Sequence, residues 1–142
     1  RGEKGFGING GVEMNSLNSA VKKILVIDDE GDILKVVRAR LEANGYKVIT
    51  LDGGKSALEV TKSEKPDIIL LDVVMPGKGG YDVCRDLKSD EATRQIPVII
   101  FTAYYSQEKE VEMKSALASA DDYILKPFEG QAVITKIKLL LK

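Results

Sequence analysis

Pro66-Asp-Ile-Ile-Leu-Leu-Asp72-Val-Val-Met-Pro-Gly-Lys-Gly-Gly80 decides how the rest of the chain is read. Four consecutive apolar residues, Ile68 to Leu71, deliver one carboxylate, Asp72, and then meet a turn built from Pro76 and Gly77. An apolar run without alternation belongs to a strand covered on both faces, in the middle of a parallel sheet. Asp72 then stands at the carboxyl end of that strand, the edge where open α/β sheets bind ligands. Taken alone, a strand-end aspartate serves equally well as the cap of the next turn, because Asp is a common turn residue. What else reaches the edge decides between the two.

Working outward, the chain alternates regularly from Val21 onward. Lys22 to Ile27 is a short apolar strand that ends in Asp28-Asp29-Glu30. Ile33, Leu34, Val37 and Leu41 give Asp32 to Asn44 the spacing of an amphipathic helix, and Gly45 stops it. Tyr46 to Leu51 is a second strand and Lys55 to Ser63 a second helix, broken by Pro66. The central strand, Asp67 to Asp72, is followed by a helix over Gly80 to Ser89 and a fourth strand over Pro97 to Phe101, closed by Thr102. A fourth helix over Gln107 to Ser119, a strand over Tyr123 to Leu125 and a last helix over Glu129 to Leu141 complete the pattern. Residues 1–20, rich in Gly, Asn and Ser, follow neither period and read as a flexible tail or an expression remnant, with Met14 a candidate start. Residues 21–142 form the one domain.

Five strands alternating with five helices imply a doubly wound α/β fold, a parallel sheet between two helical layers. Right-handed crossovers then bring every strand's carboxyl end to one edge. That edge collects Asp28, Asp29, Asp72, Thr102 and Lys126, polar groups that follow directly on four apolar strands. Several loops converging in this way make a site.

Bulk properties narrow its chemistry. The 142 residues carry a formal net charge of −1, so no global basic field draws in nucleic acid. No run approaches the roughly 18 apolar residues of a membrane span, and a cytoplasmic location is expected. The single cysteine, Cys84, falls among Tyr81, Val83 and Leu87 and reads as a small core residue. The absence of histidine excludes Ser-His-Asp triads, imidazole bases and His-zinc sites. Three carboxylates at one edge repel each other unless a cation enters. The hard oxygen set suits Mg²⁺, which takes one or two carboxylates together with phosphate oxygens. Lys126 offers a compact positive charge and Thr102 a hydroxyl for phosphoryl oxygens, and an aspartate can carry a covalent phosphate. No Walker A loop is present, which argues against a bound nucleotide as donor.

Four motifs carry a specific resemblance: Ile27-Asp-Asp-Glu30, Leu70-Leu-Asp-Val-Val-Met-Pro-Gly77, Ile99-Ile-Phe-Thr-Ala103 and Asp121-Asp-Tyr-Ile-Leu-Lys-Pro-Phe128. In this order and spacing, the stretch from Lys22 to Leu141 resembles the receiver domain of two-component response regulators. The resemblance implies a flavodoxin-like sheet of order 2-1-3-4-5. It implies that Asp72 accepts a phosphoryl group from a histidine kinase or a His-containing phosphotransfer protein. Asp29, Asp28, Asp72 and the Val74 backbone carbonyl would hold Mg²⁺, and Lys126 would contact the phosphoryl group. Thr102 and Tyr123 would form the switch, read out on the fourth helix, fifth strand and fifth helix. The expected domain catalyses only its own phosphorylation and dephosphorylation. Expected partners beyond the donor are a downstream effector or an appended output domain, with no direct nucleic-acid or membrane contact, as a monomer or a phosphorylation-dependent homodimer.

Departures from the family pattern sharpen this. Ser119 stands where Gly often ends the fourth helix, and Gly79-Gly80 replaces a polar-Gly pair, a change read as added flexibility without effect on chemistry. Val74 and Tyr104 occupy the positions that tune phosphate lifetime. Val74 has no group to orient a water, so slow self-dephosphorylation is expected. Competing classes fit less well. A haloacid-dehalogenase-type phosphohydrolase wants an acid where Val74 stands. A flavodoxin-like carrier would set Asp28-Asp29-Glu30 against the FMN phosphate. A pseudo-receiver would not need the full acid set.

Overall fold

The apolar runs form strands that face a helix layer on each side. The structure, a computed structural model, describes residues 21–73, 75, 77, 79–102, 119–126 and 128–141, Thr102 by its backbone alone. In chain order the described elements are β1 (Lys23–Ile27), α1 (Gly31–Ala43), β2 (Lys47–Leu51), α2 (Ala57–Glu64), β3 (Ile68–Leu71), α3 (Gly80–Ser89), β4 (Val98–Thr102), β5 (Asp122–Leu125) and α4 (Gly130–Leu140). The helix expected over Gln107 to Ser119 lies outside the described residues except for Ser119, so α4 is the fifth helix of the sequence pattern.

All four pairings are parallel, and the order is β2-β1-β3-β4-β5. This is the expected 2-1-3-4-5 arrangement of a doubly wound sheet. Ile27 pairs with both Leu51 and Leu71, which brings the ends of β1, β2 and β3 level. Backbone bonds extend the ladder past the strands: Asp28 N–H donates to Leu51 O at 3.1 Å and Asp72 N–H to Ile27 O at 2.9 Å. Both aspartates therefore leave the sheet on fixed backbone.

Side chains on successive strand residues point to opposite faces, and the core divides accordingly. Ile24, Val26, Ile68, Leu70, Ile99 and Phe101 pack with Val37 and Leu41 of α1 and with Val133, Ile134 and Ile137 of α4. Leu25, Ile27, Ile69, Leu71, Val98 and Ile100 pack on the other face with Ala57 of α2 and Val83, Cys84 and Leu87 of α3. Each fully buried Ile or Leu stabilises the fold by about 1.5–3 kcal/mol, so the unbroken apolar runs are the chief source of stability. Cys84 is a buried core residue, as expected, and burial pushes its thiol pKa up.

Helix ends follow local chemistry. Gly45 takes φ +88° after α1, where its N–H donates to Glu42 O and the Tyr46 N–H to Leu41 O. This left-handed exit closes the last turn at little cost to glycine. Lys65 ends α2 in a left-handed conformation of φ 49° just before Pro66. At the opposite edge from Asp72, Asp121 Oδ2 accepts from Val98 N–H at 2.8 Å and from Lys88 Nζ at 3.0 Å, fixing the entries of β4 and β5 to α3. Among the described residues no helix is long and apolar enough to cross a membrane.

Candidate functional site

Asp28, Asp29 and Asp72 meet at the carboxyl edge. One carboxylate oxygen from each lies within 4.8 Å of the other two. Asp28 is wholly buried and Asp72 is 3% exposed, whereas Asp29 faces solvent. Asp28 is oriented by its own loop: its Oδ1 accepts from the Glu30 N–H at 2.9 Å, in the turn that starts α1. Gathering acids at a dry edge costs stability unless positive charge compensates.

Lys126 supplies that charge. It follows β5 directly, and its Nζ donates to Asp28 Oδ2 at 2.7 Å, Glu30 Oε1 at 3.1 Å and Asp72 Oδ2 at 3.2 Å. The side chain is 7% exposed, and Nζ stands 5.0 Å from the centroid of the Phe101 ring. Phe101 in turn meets Phe128 edge to face. Burial alone would push the Lys126 ammonium down. The hydrogen bond and charge of Asp28, the charge of Asp72 and the hydrogen bond of Glu30 outweigh it, so the pKa lies above the ordinary lysine value. The lysine stays charged throughout the physiological range.

The donor set fits Mg²⁺. Its ligands are hard oxygens, and on an octahedral ion neighbouring ligands stand about 3 Å apart and opposite ones about 4.2 Å, so acids whose oxygens lie within 4.8 Å of one another share one ion by drawing together. No thiolate or imidazole is present in the cluster to prefer a softer metal.

The remaining expected site residues are placed less fully. Thr102 ends β4, paired with Leu125, but its side chain lies outside the described residues, as do Val74 and Tyr104. Tyr123 is 51% exposed on the edge strand, beside Leu125 at 58%. Ser119 Oγ lies 3.6 Å from Cys84 Sγ, which ties the approach to β5 to α3.

Two features escaped the sequence reading. Glu30 reaches Lys126 across 96 positions of sequence, a contact that no local pattern encodes. Gly80 is more than a flexible link. A Cβ there would overlap the Val73 Cα and the Asp72 carbonyl oxygen, so α3 begins in backbone contact with the Asp72 loop. Its N–H also donates to Val73 O at 3.2 Å. The departure from the family pattern lies at Gly79, where a Cβ would meet only Val73 O and Met75 O at 3.8 and 4.0 Å, so the crowding is confined to Gly80. A glycine opening a helix just after a strand-end acid was the available signal.

The family profile described as the response regulator receiver domain matches residues 24–138. The chain belongs to the response regulator receiver domain family. Among solved receivers it is similar to the signal receiver domain of a histidine kinase from Syntrophus aciditrophicus, at TM-score 0.79 and 31% identity over 85% of this chain and 90% of that one. It is also similar to the receiver domain of a sensor histidine kinase from Pseudomonas aeruginosa, at TM-score 0.77 and 27% identity over 86% and 98%. That domain was solved with a magnesium ion coordinated in its active-site cleft. The alkaline phosphatase synthesis transcriptional regulatory protein PhoP of Bacillus subtilis is 39% identical over 124 residues, 85% of this chain and 49% of PhoP. The phosphate regulon transcriptional regulatory protein PhoB of Pseudomonas aeruginosa is 37% identical over 121 residues, with 85% and 52% covered. This receiver thus spans about half the length of these curated relatives, and its family places it in phosphorylation-based signalling.

Proposed function

We propose that this receiver is a phosphorylation-dependent switch in which Asp72 takes a phosphoryl group from a phosphohistidine of a histidine kinase or phosphotransfer protein. The observation that carries the reading is the meeting of Asp28, Asp29 and Asp72 within 4.8 Å beside the buried ammonium of Lys126. A carboxylate oxygen of Asp72 forms the new P–O bond as the donor's P–N bond breaks, and the imidazole leaves with the bonding pair. Asp28 and Asp29, with Asp72 and the Val74 carbonyl, would hold Mg²⁺. When bound, that ion neutralises developing charge on the phosphoryl oxygens. Lys126 stabilises the same oxygens from its fixed position on Phe101. The later hydrolysis returns the Asp72 carboxylate and inorganic phosphate. Val74 offers no polar group to direct the attacking water and Tyr104 is bulky, so the phosphate is long-lived.

Thr102 and Tyr123 transmit the change. The hydroxyl of Thr102 moves toward the phosphoryl group, and the exposed Tyr123 turns inward to the space it leaves. The face expected from the Gln107 to Ser119 stretch, together with β5 and α4, then changes its affinity for an effector or output domain. Residues 21–142 act as the receiver unit, in the cytoplasm, with residues 1–20 a tail outside it. The domain pairs with a copy of itself, if at all, only when phosphorylated.

Acetyl phosphate with Mg²⁺ followed by intact mass tests the reading. A single phosphate adduct, lost in Asp72→Asn and in EDTA, is expected. A full-length chain that stays unmodified under these conditions would instead be a binding module that is never phosphorylated.

A further inference from the structure

Glu30 has no part in the phosphoryl chemistry assigned to Asp28, Asp29, Asp72 and Lys126, yet its carboxylate lies on the lysine's ammonium. We propose that Glu30 is a positioning residue that holds Lys126 in the phosphate-free state and is the partner Lys126 gives up when a phosphoryl group arrives. The proposal rests on Asp72 being the phosphoacceptor.

An ammonium has three protons to donate, and Lys126 directs them at three acceptors, at 2.7, 3.1 and 3.2 Å. The contact to Asp72 passes to a phosphoryl oxygen on that residue, and a second phosphoryl contact requires Lys126 to release Asp28 or Glu30. Unless Mg²⁺ is already in place, releasing Asp28 would strand a carboxylate with 0% exposure, whose other oxygen is already committed to the Glu30 N–H. An unpaired buried charge of that kind is costly. Asp72 carries the incoming group, so its contact is converted rather than lost. Glu30 differs from both. Its side chain is 60% exposed, and a carboxylate let go there returns to water at little cost. The negative charge brought by the phosphoryl group pushes it in the same direction.

Glu30 can also move without loosening the fold. It occupies the N-cap position of α1 but makes no side-chain cap bond, and its backbone N–H is held by Asp28. The side chain is thus free to swing while the helix start stays in place. The consequence is a standing competition between Glu30 and the phosphoryl oxygens for the ammonium of Lys126.

Beryllium fluoride, a phosphoryl mimic, titrated into the full chain with saturating Mg²⁺ and followed by ¹⁹F NMR, measures that competition. Glu30→Gln should tighten binding by about 1.5-fold to fivefold, the range an exposed ion pair is worth. Asp32→Asn is the control, because Asp32 carries the same charge in the first turn of α1 and has no hydrogen bond to Lys126. It should leave the affinity unchanged. Equal tightening in both variants would reduce the effect to general charge and overturn the proposal, as would a Glu30→Gln affinity equal to or weaker than the parent's. In EDTA, the Lys126 ammonium protons should exchange with water faster in Glu30→Gln than in the parent, and unchanged exchange would overturn the holding role. A parent chain that binds no mimic would overturn the phosphoacceptor reading as well, which separates the two failures.

Discussion

Gly80→Ala tests how the fold holds the phosphoacceptor loop, and its sign alone is decisive. The added Cβ would overlap the Val73 Cα and the Asp72 carbonyl oxygen and stand 2.9 Å from the Asp72 carbonyl carbon. Unstrained carbon contacts are about 3.5–4.0 Å, so α3 or the loop must move. Every obstructing atom is backbone, and no side chain can rotate aside. Overpacking of this kind costs about 1–3 kcal/mol, and occasionally more. If Gly80 gave only flexibility, alanine would instead stabilise by about 0.4–1 kcal/mol through the unfolded chain. In urea, at a typical slope of about 1–3 kcal/mol/M, the expected loss lowers the midpoint by about 1 M. Gly79→Ala is the matched control. Its nearest neighbours, Val73 O and Met75 O, would be 3.8 and 4.0 Å away, and φ is an ordinary −73°. Its stability should stay within about 0.5 kcal/mol, as the entropy gain offsets a poorer N-cap. Because the displaced atoms belong to Asp72 and Val73, Gly80→Ala should also slow labelling by acetyl phosphate. A Gly80→Ala protein as stable as the parent, or more stable, would refute the close-approach argument.

Three further outcomes follow from the same geometry. Lys126→Met should destabilise the protein in EDTA by about 3 kcal/mol, the low end for a buried ion group losing one partner. Mg²⁺ should then raise the variant's melting temperature more than the parent's, because the ammonium no longer occupies Asp28 and Asp72; a smaller rise would contradict the shared-ligand account. Asp121→Ala should cost about 1–3 kcal/mol in urea, since the Val98 N–H loses its acceptor at the entry of β4. Val74→Asn should lose phosphate faster than the parent in a chase after donor removal, and an unchanged half-life would remove Val74 from the control of lifetime.

Much of this was readable in the sequence because a parallel sheet writes itself as uninterrupted apolar runs. Ile68–Leu71 and Val98–Thr102 sit within a residue of the stretches expected from pattern alone, and α3 begins and ends as expected. Asp72 at the edge followed from the run before it, and Asp28 and Lys126 from theirs. Tyr123 was less legible. An edge strand is half covered, so a lone aromatic there carries no signal about which way it faces, and it proves exposed. Glu30 and Gly80 needed coordinates, because their roles lie in distances between segments. The Glu30–Lys126 contact depends on the register of β5 relative to β1, and the Gly80 contact on how closely α3 docks on the end of β3.

The central claim is that one carboxylate among the three at the edge takes the phosphate. Borohydride reduction of the acetyl phosphate-treated chain converts a phosphoaspartate to homoserine, and peptide mass spectrometry then reads its position. The geometry calls for homoserine at position 72 only. Homoserine at position 28 or 29, or an adduct that persists in Asp72→Asn, would contradict it.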